Sequence, residues 1–176
     1  MGKRVTFWLL AGVLVVAVRG ASQHPEDAFV GQIAPELKTG EWINSEPLTL
    51  EGLRGKVVLL DFWAWDCPEC AKTLPGLKDL HARYADQGLV IIGVHTPRGE
   101  FEKNVDDVRR TVTEKDIRYP VTTDHEYLTW LDYLNNVWPT HFVLDQDGVI
   151  QLSHAGIGRD EDTERVIQEL LRDGAR

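Results

Sequence analysis

Val57-Val58-Leu59-Leu60-Asp61-Phe62-Trp63-Ala64-Trp65-Asp66-Cys67-Pro68-Glu69-Cys70 is the stretch on which the reading of this chain turns. Its first seven residues are apolar except for Asp61, a run whose length and continuity predict a strand buried on both faces. From Pro68 to Gln87 the pattern becomes helical: Leu77, Leu80, His81 and Tyr84 recur on one face and Gly88 fits the stop. Pro75, inside that helix, predicts a kink near Thr73-Leu74. Cys67 and Cys70, the only cysteines of the chain, thus fall at a strand-to-helix junction. The positive helix start favours a thiolate on Cys67, and two sulfurs three positions apart on one turn can close into a disulfide. The pattern points to redox chemistry.

Outward from this stretch the pattern alternates. Upstream, Gly31–Leu37 and Leu48–Leu50 suggest short strands or extended pieces, and Glu51–Gly55 a turn into the buried strand. Downstream, Leu89–Val94 is a second continuously apolar strand, as a parallel sheet requires. Phe101–Glu114 predicts an amphipathic helix with Phe101, Val105, Val108 and Val112 inward, and Tyr127–Leu134 a shorter one. Tyr119-Pro120-Val121 starts a short extended piece. His141–Leu144 and Val149–His154 read as strands paired through a hairpin at Asp147-Gly148. Glu161–Arg172 closes the chain as a helix with Val166, Ile167, Leu170 and Leu171 inward. This order predicts an α/β fold, a mixed sheet with helices on both faces.

Composition narrows the class. With 176 residues, 43% hydrophobic and 27% charged, the chain suits one globular domain plus a short extension. A net charge of −9 argues against nucleic acid as a partner. The first twenty residues stand apart: Lys3 and Arg4 precede the apolar stretch Val5–Val18, and Gly20-Ala21-Ser22 follows. That layout is a secretory signal peptide, or an anchor if it is retained, although Val5–Val18 falls short of the roughly 20 residues that span a bilayer. Either way the domain is expected outside the cytoplasm, with any membrane contact confined to this segment. In that compartment a lone cysteine pair can be a purely structural disulfide. A bridge closing so short a loop, however, removes little chain entropy from the unfolded state.

Asp61-Phe62-Trp63-Ala64, Cys67-Pro68-Glu69-Cys70 and Trp138-Pro139-Thr140 together resemble the thioredoxin fold. Ala34-Pro35, Gly55–Leu60 and the helix inserted after Gly93-Val94-His95-Thr96-Pro97 make the chain similar to extracytoplasmic thiol-disulfide oxidoreductases of the TlpA/ResA (redoxin) type. His95-Thr96-Pro97, Val108-Arg109-Arg110 and His154-Ala155-Gly156 are most similar to the thioredoxin-like domain of DipZ proteins. The chain thus divides into a signal peptide or anchor over 1–20, a linker over 21–29, and, over 30–176, the thioredoxin-like domain that the resemblance implies. Two departures stand out. Asp66 precedes the first cysteine where relatives carry a hydrophobic or small residue, and Pro-Glu replaces the commoner Pro-Pro or Gly-Pro.

The resemblance also implies roles. Cys67, the more exposed thiol, would attack a substrate disulfide and Cys70 would resolve the mixed disulfide. Asp61, costly to desolvate in an apolar strand, would lie beneath the disulfide and exchange the proton of Cys70. Pro139 would be a cis proline facing the site, with Trp138, Trp65 and Thr140 as the surface for an extended substrate. Asp66 and Glu69 place negative charge beside Cys67, opposing the helix start and favouring a reductant. Glu100 is matched to an acidic residue that tunes the cysteines in relatives, while His141 and His154 read as ordinary strand residues. No cofactor or metal is expected beyond the Cys67–Cys70 disulfide itself. Partners would be protein disulfides or dithiols, apocytochrome c among them, and a membrane thiol donor of electrons; the protein would act as a monomer. Two rivals remain. A thiol peroxidase of the redoxin/AhpC-TSA type would want Thr or Ser and Arg near its cysteine, which Ala64-Trp65-Asp66 does not supply. A copper-binding module would prefer three residues between the cysteines.

Overall fold

The apolar run Val57–Trp63 is the central strand, and every one of its residues is buried. The computed structural model describes residues 29–174, so the expected leader over 1–20 and the link up to residue 28 lie outside the described residues. Six strands form one sheet: β1 Trp42–Ile43, β2 Val57–Trp63, β3 Leu89–His95, β4 Val121–Thr123, β5 Thr140–Leu144 and β6 Ile150–Ala155. Their spatial order is β1-β4-β3-β2-β5-β6. β2, β3 and β4 run parallel, while β5 joins β2, β6 joins β5 and β1 joins β4 antiparallel. The sheet is therefore mixed, as the order of elements predicts.

Period-two alternation sends the two halves of β2 to different cores. Val57, Leu59 and Trp63 face Leu77 and Leu80 of α1 (Pro68–Tyr84), Val108 and Val112 of α2 (Val105–Glu114), and Ile167 of α4 (Asp160–Asp173). Val58, Leu60 and Phe62 face Trp130 of α3 (Leu128–Asp132), together with Tyr133, Phe142 and partly buried Phe29. Burying both faces explains why β2 and β3 read as continuous apolar runs. α1 continues as α-helix through Pro75, so that proline does not end it.

Three expectations need correction. Leu48–Leu50 is not a strand; it is a loop whose Leu50 and Glu51 N–H groups are taken by the Glu36 carboxylate. The edge strand is instead Trp42–Ile43, ended by Asn44, whose side-chain amide donates to the carbonyls of Ile117 and Tyr119. The helix expected from Phe101 begins only at Val105, where the Asn104 side chain caps it by accepting the Asp106 N–H. Glu100–Glu102 is a separate 3-10 turn, and Phe101 is 58% exposed rather than inward. Gly31–Leu37 is extended, but forms no strand; it makes an isolated bridge, Ile33 to Val149, just before β6, and bonds to Gly148 and Ile150 on either side.

Candidate active site

Cys67 ends the turn that leaves β2 and is the N-cap of α1. Its backbone is extended, and its Sγ accepts the Cys70 N–H at 3.1 Å. A capping atom sits where the free N–H groups and the helix dipole point. Cys67 and Cys70 are disulfide-bonded, with S–S 2.14 Å and Cα–Cα 5.3 Å. The expectation that Cys67 is the more exposed is not met: in the disulfide-bonded form each cysteine is 6% exposed. Thr73 Oγ1 donates to the Cys70 carbonyl, fixing the first turn.

Three loops at the ends of β2, β3 and the approach to β5 meet around this disulfide. The Thr96 N–H donates to the Trp63 carbonyl, and the Trp138 indole N–H donates to the Thr96 carbonyl at 2.9 Å. Trp138 also stacks on Trp130 with centroids 4.1 Å apart. The Trp138–Pro139 peptide is cis. Trp65 and Trp138, both half-buried, pack against the core cluster that contains the two cysteines. Thr140 differs from its expected role. It is buried and its hydroxyl donates to the Val137 carbonyl, so it holds the loop together instead of facing a substrate.

The acidic residues are placed otherwise than their positions in the chain suggest. Asp66 faces the Arg98 guanidinium at 3.2 Å and Glu69 faces Lys72 at 3.8 Å, both on the exposed surface. Asp66 shares Arg98 with a second carboxylate while Glu69 has Lys72, and solvent around both weakens their expected opposition to a Cys67 thiolate. Glu100 points outward, its side chain 86% exposed and paired with Lys103. The buried acid is Glu102, fully enclosed, which accepts the Asp66 N–H, the Arg98 N–H and the Arg98 Nε. Arg98 and Glu102 are the site residues that sequence reasoning missed. Only folding reveals that Glu102, and not Glu100 two positions earlier, turns toward the loop before Cys67.

Asp61 is buried on the α1 face of β2 and shares with Cys70 a cavity of about 10 Å³, also lined by Lys115 and Tyr119. That volume is about enough for one water. The His141 Nε2 lies 3.2 Å from Asp61 Oδ1, close enough for an ion pair but off the line of a hydrogen bond. His95, the last residue of β3, is fully buried with its ring steeply inclined to that of Trp63. Burial, with His125 beside it, pushes its pKa down to about 3, so it stays neutral. Among the described residues, no three His, Cys, Asp or Glu side chains are gathered as a metal site.

Residues 30–153 match the AhpC/TSA family. The chain belongs to that family. It is 40% identical over 145 residues to the protein DipZ of Mycobacterium tuberculosis, covering 80% of this chain and 21% of that protein. The chain thus spans about a fifth of the length of the DipZ proteins it matches. It is 34% identical to the thiol-disulfide oxidoreductase YkuV of Bacillus subtilis, covering 71% of this chain and 84% of YkuV. Among solved structures, it superposes with a TM-score of 0.72 on a thioredoxin-like protein in its oxidised form, 30% identical, over 81% of this chain and 96% of that one. The thioredoxin-like fold of this family member is therefore shown by sequence and architecture together, and among the described residues no helix is long and apolar enough to cross a membrane.

Proposed function

We propose that this chain is an extracytoplasmic thiol-disulfide oxidoreductase that reduces disulfides in other proteins through a Cys67/Cys70 dithiol-disulfide cycle. One observation carries the reading: a disulfide whose first sulfur caps a helix and accepts the N–H of its partner cysteine. When the pair is reduced, the helix start favours the thiolate on Cys67. That thiolate attacks a substrate disulfide, forming a Cys67–substrate bond and expelling the other substrate sulfur as a thiolate. Cys70 then gives up its thiol proton, attacks Cys67 and releases the second substrate sulfur. Two electrons pass to the substrate, and no bound cofactor enters the cycle.

Asp61, on the cavity it shares with Cys70, is the group we assign to take that proton. Trp65, Trp138 and the cis Pro139 form the surface for an extended substrate. Arg98 and Lys72 are each committed to a carboxylate beside the site, leaving the Cys67 thiolate stabilised mainly by the helix start. A weakly stabilised thiolate suits a reductant with a potential nearer roughly −270 mV than roughly −120 mV. The leader expected over 1–20 supports an extracytoplasmic site of action; there, electrons would come from a membrane thiol donor, and the protein would act as a monomer. Apocytochrome c thiols are the substrate class that the TlpA/ResA resemblance suggests.

Insulin reduction with dithiothreitol as electron source tests the activity. Cys67→Ser should abolish turnover and trap nothing, whereas Cys70→Ser should accumulate mixed disulfides. A wild-type protein that leaves insulin intact would overturn the reading, and peroxide consumption or copper binding by the same sample would favour its rivals. Equilibration with glutathione buffers tests the direction; a potential above about −180 mV excludes a reductant.

A further inference from the structure

Asp61, His141 and His154 form a polar row across three adjacent strands under α1. The register pairs Asp61 on β2 with His141 on β5, and His141 with His154 on β6. All three side chains are nine-tenths or more buried in a face otherwise filled by Val57, Leu59, Val143 and Leu152. A core of this kind gains nothing from three polar side chains unless they are paired or used. The row is poorly paired: both ring nitrogens of His141 and the Nδ1 of His154 are buried without a hydrogen bond. Spacing along the row is close throughout. His141 Nε2 lies 3.2 Å from Asp61 Oδ1, the two imidazole rings are 4.8 Å apart, and His154 Nε2 lies 3.2 Å from Thr163 Oγ1.

The two ends of the row open into different spaces. At one end, Asp61 meets the small cavity it shares with Cys70. At the other, His141 and His154 line a cavity of about 120 Å³ between α1 and the start of α4, large enough for several waters. Exposed Asp79 and Glu161 on its rim connect it to solvent. We propose that His141, with His154 behind it, is a proton-passing residue that connects Asp61 to solvent through the α1–α4 cavity. This inference rests on the assignment of Asp61 as the acceptor of the Cys70 proton.

The proton balance is closed. Cys70 loses its thiol proton to Asp61 and its sulfur forms the bond to Cys67; the substrate sulfur leaves as a thiolate and takes a proton from solvent. Asp61 passes that proton on through His141 as Cys70 attacks, so that the buried carboxyl does not have to hold it during resolution. A neutral imidazole suits this, because it accepts at one nitrogen while it gives from the other. Burial, with His141 and Arg159 close by, pushes the pKa of His154 down to about 3, so that ring is neutral in the resting protein. The charged and titratable groups facing the row are few. Lys115 and Tyr119 border the Asp61 end. At the other end α1 presents Asp79 and Arg83, and the α4 side presents Asp160, Glu161 and Glu164.

Reaction of the reduced protein with an aromatic disulfide separates the steps, since each releases one coloured thiolate: the first as Cys67 attacks, the second as Cys70 resolves. His141→Phe should leave the first phase unchanged and slow the second about tenfold at neutral pH, and added imidazole should restore the lost rate. His154→Leu, at the outer end, should slow the same phase, and it keeps the test open should His141→Phe fold poorly. Second phases at the wild-type rate in both variants, beside a slow Asp61→Asn, would overturn the proton path and leave the function standing. A slow His141→Phe that imidazole does not restore would also overturn it, assigning His141 to holding Asp61 in place. A wild-type second phase in Asp61→Asn would remove the assignment on which the path rests, and a wild-type protein with no second phase would remove the oxidoreductase reading itself.

Discussion

At the scale of single residues, the fully buried Glu102 carboxylate holds the loop before Cys67 by accepting the Asp66 N–H. Cys67 and Cys70 announce themselves because a strand and a helix must meet between Trp63 and Pro68, and Asp61 because it interrupts an apolar run. Glu102 carries no such mark. It lies among Glu100, Phe101 and Lys103, and its burial follows from two backbone N–H groups, of Asp66 and Arg98, that require an acceptor. The two bonds are part-buried, and losing each costs about 0.5–1.5 kcal/mol. Glu102→Ala should lose stability of that order in urea unfolding, whereas Glu100→Ala, on the surface, should stay within about 0.5 kcal/mol of wild type. Equal losses from the two would show that the Glu102 contacts contribute nothing.

The elements show the same division. β2 and β3 were readable from composition because both their faces are covered, but β1 has two residues and no periodicity to detect. The start of α2 was misplaced because Phe101 fits the helical period. The capping side chain of Asn104 decides the boundary instead, and Asn104→Ala should cost about 1 kcal/mol. Within β3, Gly93 stands opposite Asp61 in the register and leaves room for the Trp63 indole. A methyl group at Gly93 would lie 3.0 Å from Trp63 Nε1, 3.2 Å from Val121 Cγ2 and 3.3 Å from Tyr119 Cε2. None of these is the free end of a flexible chain, so Gly93→Ala should destabilise the protein by about 1–3 kcal/mol. An unchanged denaturation midpoint would mean that the sheet opens easily at this point.

Over the whole molecule, buried histidines set the response to acid. His95 and His154 each have a pKa near 3 in the fold, lowered first by burial, against about 6.5 in an unfolded chain. The unfolded state therefore binds more protons as pH falls. Their contribution to stability is present above about pH 6.5 and is lost progressively as pH drops toward 3. Between pH 7 and pH 5 each group should remove about 2 kcal/mol from the unfolding free energy. Glu164, held down to about 2 chiefly by its hydrogen bond from Arg83, titrates below this window. Guanidinium unfolding at the two pH values measures the loss, and a protein equally stable at both would show that these rings are protonated in the native state.

The segment Gly31–Ala34 has a consequence for how another protein approaches. Its backbone exchanges hydrogen bonds with Gly148 and Ile150, which occupies the outer flank of β6. The opposite flank is only the two residues of β1. The sheet thus guards one margin by brevity and the start of the other by a strap of its own chain, which narrows the places where a foreign strand could zip itself on.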